Sequence, residues 1–261
     1  MDYQLKNKRA FISGSTKGIG FAIAQTLANE GAEVIINGRS QDSVDEALDK
    51  LKNGQKEAKI SGIACDFSKP EEIENLLKKL GQIDILVNNV GIFKQQDFAD
   101  IPDEDWLRFY EVNVMSGVRL SRALLPHMLE QDWGRIIFIS SESAINIPKE
   151  MIHYGMSKTA QLAVSRGIAE LTKSTHVTVN SVLPGPTLSE GVKEMADISD
   201  AASKAKAEEH FFNEARPTSI IQRFIEPQEV ANLVAYVASP LSAATNGAAL
   251  RVDGGVAKII L

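Results

Sequence analysis

Short apolar runs recur along the chain, separated by longer stretches in which apolar positions return every three or four residues. The first pattern is that of strands buried on both faces, the second that of amphipathic helices. Strands are predicted over residues 9–13 (RAFIS), 33–37 (EVIIN), 60–64, 83–88 (IDILVN), 135–140 (RIIFIS), 177–183 (VTVNSVL) and 249–252. Helices are predicted between them over 18–30, 41–52, 70–80, 103–113, 116–131, 152–173 and 227–238. Gly31 and the pair Asn53-Gly54 stop two of these helices, and Pro70 with Glu71 and Glu72 starts another. Strands alternating with helices of this length imply an α/β fold, a doubly wound, mostly parallel seven-stranded sheet with helices on both faces.

No repeat, low-complexity linker or domain boundary stands out, so residues 1–261 are expected to form one domain. One segment breaks the rhythm. Residues 190–216 are polar, Ala-rich and heavily charged, too long for an ordinary connection, and 189–217 is expected to be a substrate lid. The alternative is a solvated helical excursion on the surface.

Composition narrows the class. Hydrophobic residues make up 44% and charged residues 24%, which suits a packed globular chain. The net charge of −6 gives no general attraction to nucleic acid or to an anionic membrane. Cys65 is the single cysteine, so no intrachain disulfide is possible, and no Cys/His grouping has zinc spacing. Residues 1–9 are polar, unlike a signal peptide, and no apolar run approaches the roughly 20 residues of a membrane helix. A soluble, cytoplasmic protein without a metal is expected.

The first predicted strand runs into Ser13-Gly14-Ser15-Thr16-Lys17-Gly18-Ile19-Gly20 and then a helix. Glycines there allow a sharp turn and bring backbone N–H groups close to a pyrophosphate, which the helix N-terminus also attracts. The spacing Gly14-x-x-x-Gly18-x-Gly20 resembles that of the short-chain dehydrogenase/reductase family. Asn88-Asn89-Val90-Gly91 is similar to that family's Asn-Asn-Ala-Gly, with Val90 in place of Ala, and the resemblance spans about Lys8 to Gly255. It implies a Rossmann-type fold and a nicotinamide site with contacts from Gly14, Ser15, Thr16, Lys17, Gly18, Ile19 and Gly20. Further contacts are implied for Arg39, Asp66, Phe67, Asn89, Gly91, Tyr154, Lys158, Pro184, Gly185 and Thr187. An NAD site usually carries an acid after the second strand, where this chain has Gly38 followed by Arg39. With Lys17 in the glycine turn, two cations suit a 2′-phosphate, so NADP(H) is expected in preference to NAD(H).

Tyr154 and Lys158 are four residues apart near the start of a predicted helix and share one face. Ser141 lies thirteen residues before Tyr154, just past a strand whose carboxyl end should border the ligand crevice. Ser140 should point to the other face, and Ser143 falls two residues late. The set resembles the family's catalytic Ser, Tyr and Lys, with Asn113 as its fourth member. Tyr154 is then the general acid/base, its phenol pKa lowered by the Lys158 ammonium and the oxidised nicotinamide. Ser141 bonds the substrate oxygen, Lys158 also bonds the nicotinamide ribose, and Asn113 anchors a water that links Lys158 to solvent.

The substrate wall is expected from Ile92, Phe93, Ile145, Ile147, Met151, Pro186, Phe211 and Phe212, which suits a small apolar ketone or secondary alcohol. The orientations of Glu142, Lys149 and Glu150 are open, and His153 is expected to be exposed or structural. Two alternatives stand. A 3-oxoacyl carrier-protein reductase would dock an acidic partner through basic residues, where this chain has Asp132 and Thr175. A catalytically silent NADP(H)-binding regulator would share the fold. Family resemblance implies a homotetramer built through the central helices, with the apolar tail 256–261 contributing.

Overall fold

The computed structural model describes residues 2–54 and 58–260. Seven strands, β1 (Arg9–Ile12), β2 (Glu33–Gly38), β3 (Ile60–Ala64), β4 (Ile85–Asn88), β5 (Gly134–Ile139), β6 (Val177–Pro184) and β7 (Ala249–Val252), form one sheet. Their order is β3-β2-β1-β4-β5-β6-β7, and every neighbouring pair is parallel, so the expected sheet is parallel throughout. The chain crosses from β3 on one edge back to β4 beside β1, which makes the carboxyl ends of β1 and β4 the switch point of the fold.

Nine helices are seen among the described residues. They are α1 (Gly18–Asn29), α2 (Gln41–Gly54), α3 (Pro70–Leu80), α4 (Asp103–Phe109), α5 (Ser116–Glu130), α6 (Ile152–Glu170), α7 (Glu190–Met195), α8 (Ala201–Glu214) and α9 (Pro227–Ala238). Alternate residues of each strand point to opposite faces and feed two cores. Ala10 and Ile12 of β1 pack with Ile23 and Leu27 of α1 and Val230 and Val234 of α9. Phe11, between them, packs on the other side with Ile73 and Leu76 of α3 and Leu120 and Leu124 of α5.

Two stretches differ from the pattern-based expectation. Residues 103–113 are not one α-helix: α4 ends at Phe109 and a π-helical turn, Tyr110–Met115, leads into α5. Such wide turns gather at functional sites, and this one carries Asn113. Residues 190–216, expected as a lid with a helical excursion as the alternative, fold largely as α7 and α8. Ser189 caps the first through the Val192 N–H, and Asp200 caps the second in a reciprocal box with Ser203. Leu188, Phe212 and Phe224 give this excursion a small core of its own.

Gly185, just past β6, sits against the chain leaving β7. A Cβ there would lie 2.7 Å from the Asp253 carbonyl oxygen and 2.8 Å from its Cα, both backbone atoms. We expect G185A to destabilise the protein by about 3 kcal/mol through overpacking, read as a lowered urea midpoint with an unchanged slope.

Candidate active site

Three side chains shape the glycine turn after β1. Asn37, at the end of β2, accepts the Gly14 N–H at 3.0 Å, and its own N–H goes to Ser15 Oγ at 2.9 Å. Asn89 donates to the carbonyls of Ser13 (3.1 Å) and Gly14 (2.8 Å). Ser13 Oγ accepts the Asn89 and Val90 N–H groups. Gly20 permits the close approach, since a Cβ would lie 2.5 Å from Asn89 Nδ2 and 2.5 Å from the Gly14 carbonyl. At the mouth of the turn the Glu190 carboxylate accepts the Gly18 N–H at 2.8 Å. An anion therefore already sits on the first amide of α1, as a phosphate would. The residues fit a dinucleotide.

Gly38 is enclosed as well. A Cβ would come within 2.6 Å of Thr16 Cγ2 and 2.7 Å of Ser43 Oγ, so the acid of an NAD site has no room there without rearrangement. Lys17 and Arg39 are exposed beside it. Asp66 is held below the usual carboxylate range, first by the Ser68 N–H and then by the Ser68 hydroxyl, with Lys69 and Arg39 adding smaller pulls. Phe67 turns its ring into the core, where it is 3% exposed. Thr187 is also turned inward, its hydroxyl donating to the Gly185 carbonyl at 2.8 Å.

The Tyr154 and Lys158 side chains lie one turn apart on α6, with Lys158 Nζ 5.7 Å from the phenol ring centroid. Lys158 donates to the Ile139 carbonyl at 3.0 Å and lies 3.4 Å from Gln161 Oε1. Burial lowers its pKa to about 8. Gly91 leaves space over it, because a Cβ there would stand 3.3 Å from Nζ. Burial also pushes the Tyr154 phenol up, more than its hydrogen bond with Ser141 pulls it down. In the chain alone, then, the expected lowering by the ammonium does not dominate, since the Lys158 hydrogen bonds are directed to Ile139 and Gln161.

Asn113 spends its side chain within the protein. Oδ1 accepts the Ile92 N–H at 2.8 Å, and Nδ2 donates to the Ile92 carbonyl and Ser157 Oγ. Its backbone carbonyl accepts from Gln161 Nε2 at 2.5 Å. Gln161 thus bridges Asn113 and Lys158, a role its place one turn past Lys158 could have suggested. Ser140 points away, donating to the Lys158 carbonyl at 2.9 Å. Ser141 faces Tyr154 and donates to Glu142 Oε2 at 2.6 Å. His153 packs on Phe109, ring centroids 4.1 Å apart, and on Trp106. The sequence missed Arg216, whose Nε donates to Glu142 Oε1 at 3.0 Å across 74 residues of chain. Cys65 is buried, and burial, with Glu72 and Asp66 adding to it, pushes the thiol up to about 12. Among the described residues no group of His, Cys, Asp and Glu could hold a metal ion.

A parallel sheet with this order, a glycine turn at its switch point and a Ser–Tyr–Lys cluster on the same edge define a dinucleotide-linked oxidoreductase. The chain belongs to the short-chain dehydrogenase/reductase family. A family profile described as enoyl-(acyl carrier protein) reductase matches residues 14–257. The chain is 49% identical, over the whole of both proteins, to the uncharacterized oxidoreductase YvaG of Bacillus subtilis. It is 33% identical to dehydrogenase/reductase SDR family member 4 of Caenorhabditis elegans, covering 97% of this chain and 96% of that protein. Among solved structures, L-sorbose reductase from Gluconobacter frateurii, in complex with NADPH and L-sorbose, superposes with a TM-score of 0.90 at 30% identity over all of both chains.

The Lys158 environment gives a pH-dependent prediction. Its folded pKa of about 8 lies below the ordinary lysine value of 10.5, so between those values the unfolded chain binds more protons and stability rises with pH. K158M, which has no such group, is expected to unfold at higher urea than the wild type at pH 7. The gap should narrow as the pH rises through 8 to 10, as followed by urea melts.

Proposed function

We propose that this chain is an NADP(H)-dependent oxidoreductase that interconverts a small ketone and its secondary alcohol, with Tyr154 as general acid/base. The observation that carries this reading is the Tyr154 hydroxyl, bonded to Ser141 and one turn from a buried Lys158 below Gly91. A bound nicotinamide supplies or accepts the hydride. The chain's own residues handle the proton. In reduction Tyr154, a phenol protonated at neutral pH and held further above its ordinary range by burial, gives its proton to the carbonyl oxygen. Lys158, still a cation at that pH, stabilises the phenolate left behind. Asn113 and Gln161 keep Lys158 in place.

Lys17 and Arg39, with Gly38 enclosed, favour the 2′-phosphate of NADP(H). The substrate wall is mixed. Phe93 meets the Tyr154 ring edge-on at 6.4 Å, and Ile147 lies against Gly155. Phe211 and Phe212, read from sequence as lining, pack with Phe224 inside the α7–α8 excursion. A small ketone suits this wall, and the NADPH and L-sorbose held by the structural relative support a compact substrate. Carrier-protein reduction ranks second, because the Asp132 carboxylate faces outward paired with His176 at 2.7 Å. A silent regulator ranks third, since Asn113, Ser141, Tyr154 and Lys158 are all in place. Residues 189–217 act as the lid. Exposed Leu107 and Tyr110 near α4 support a homotetramer, whereas Val256 and Ala257 of the apolar tail are buried within the chain and Leu261 lies outside the described residues. Cytoplasmic location is part of the same reading, and no helix among the described residues is long and apolar enough to cross a membrane.

Four outcomes test the proposal. NADPH and NADH oxidation against ketones, aldehydes, sugars and acyl thioesters should show faster turnover with NADPH. Y154F should abolish that turnover while NADPH fluorescence titration shows binding retained, and a wild-type rate in Y154F would sink the mechanism. K17A/R39A should raise the KM for NADPH on the order of 10- to 100-fold while leaving NADH unchanged. Because Glu190 occupies the Gly18 amide, E190Q should bind NADPH several-fold more tightly in the same titration.

A further inference from the structure

Two enclosed charges near Tyr154 belong to neither the glycine turn nor the Ser–Tyr–Lys set. Glu142 and Arg216 have side chains only 5% and 9% exposed. One Glu142 oxygen, Oε2, accepts the Ser141 hydroxyl at 2.6 Å, the Ser143 N–H at 2.9 Å and the Ser143 hydroxyl at 3.1 Å. The other, Oε1, accepts Arg216 Nε at 3.0 Å. Arg216 is fixed in turn: Nη1 donates to the Ala215 carbonyl at 2.8 Å and reaches Glu150 at 3.4 Å, and the guanidinium lies 5.9 Å from the Phe211 ring centroid.

We propose that the buried Glu142–Arg216 pair is the positioning device of this active site, Glu142 holding the Ser141 hydroxyl by its proton and Arg216, arriving just past α8, holding Glu142. The proposal rests on the reading that Ser141 and Tyr154 meet the substrate oxygen. Only a carboxylate can serve both sides. A glutamine would turn its NH2 either on the donors Ser141 and Ser143 or on the donor Arg216. A serine hydroxyl has one proton, and this one lies on a carboxylate in a charge-assisted bond, so the oxygen presents lone pairs to its other neighbours. One such neighbour is the Ser143 N–H, at 3.1 Å. Ser141 is thereby held in one orientation, facing Tyr154. Arg216 also makes the arrangement depend on the excursion being folded over the site, because its chain position lies just beyond α8.

The test is a double-mutant cycle on reduction of 2,3-butanedione by NADPH. E142Q is expected to lower kcat about tenfold with the KM for NADPH within twofold, as loss of orientation does. In an S141A background the same change should alter kcat by less than twofold, because the group it positions is gone. R216M should repeat both results. It leaves a buried carboxylate unpaired and can fail to fold, and then E142Q/R216M, which removes both charges, takes its place with the same expectation. Equal losses in both backgrounds, or a wild-type kcat in E142Q, overturn the proposal. If S141A turns over too slowly to measure, a loss confined to kcat supports it, and a loss in the KM for NADPH or in melting temperature overturns it. Failure of the underlying reading looks different: S141A or Y154F would retain the wild-type rate, or the wild type would show no turnover.

Discussion

Where β1 ends, the chain has to leave the sheet while its neighbours diverge, and each backbone group freed there needs a partner within hydrogen-bonding distance. Ser13, Asn37 and Asn89 supply those partners from three different strand ends. Their bonds fix the glycine turn, the turn sets the first amides of α1 at the carboxyl edge, and that edge is where an anion can be held. Because β1 and β4 mark the switch in strand order, the crevice opens beside the turn and needs no separate pocket.

On the far side of the crevice α6 works as a rigid platform. Its start is tied to the chain after β5 by Ser140 to the Lys158 carbonyl and by Thr159 to the Ala144 carbonyl. Lys158 is held from three elements at once, through Ile139 of β5, through Gln161 of α6 itself, and through the link from Gln161 to the π-helical turn. Burial has a chemical consequence here. It raises the phenol and lowers the ammonium, so the two pKa values move apart and, in the chain alone, each group is biased toward its neutral form.

The α7–α8 excursion joins these halves. Its base is stitched by the Leu188 N–H to the Ile225 carbonyl and the Ile225 N–H to the Pro186 carbonyl. It touches the glycine turn through Glu190 and the Ser141 edge through Arg216. A segment with a small core and two such polar contacts can change its position by exchanging a few bonds, without disturbing either main core.

The apolar pattern determined the strands, their alternation with helices, and the parallel sheet, because burial on both faces leaves a continuous apolar run that no other element needs. Local motifs determined where the glycine turn, Tyr154, Lys158 and Ser141 would fall, since each sits at a fixed offset from a strand end or within one helix turn, whereas Asn113 was implied by the family resemblance alone. Asn37 gave no such signal: it reads as the end of a strand, and only the neighbouring β1 turn gives its side chain work. The helices of residues 190–216 are stabilised by caps and by Phe212 against Phe224, contacts that an Ala-rich, charged sequence does not display as a period. Glu142 and Arg216 were out of reach for the same reason. They are 74 residues apart, each reads alone as a surface charge, and only tertiary packing removes both from water and turns them toward Ser141.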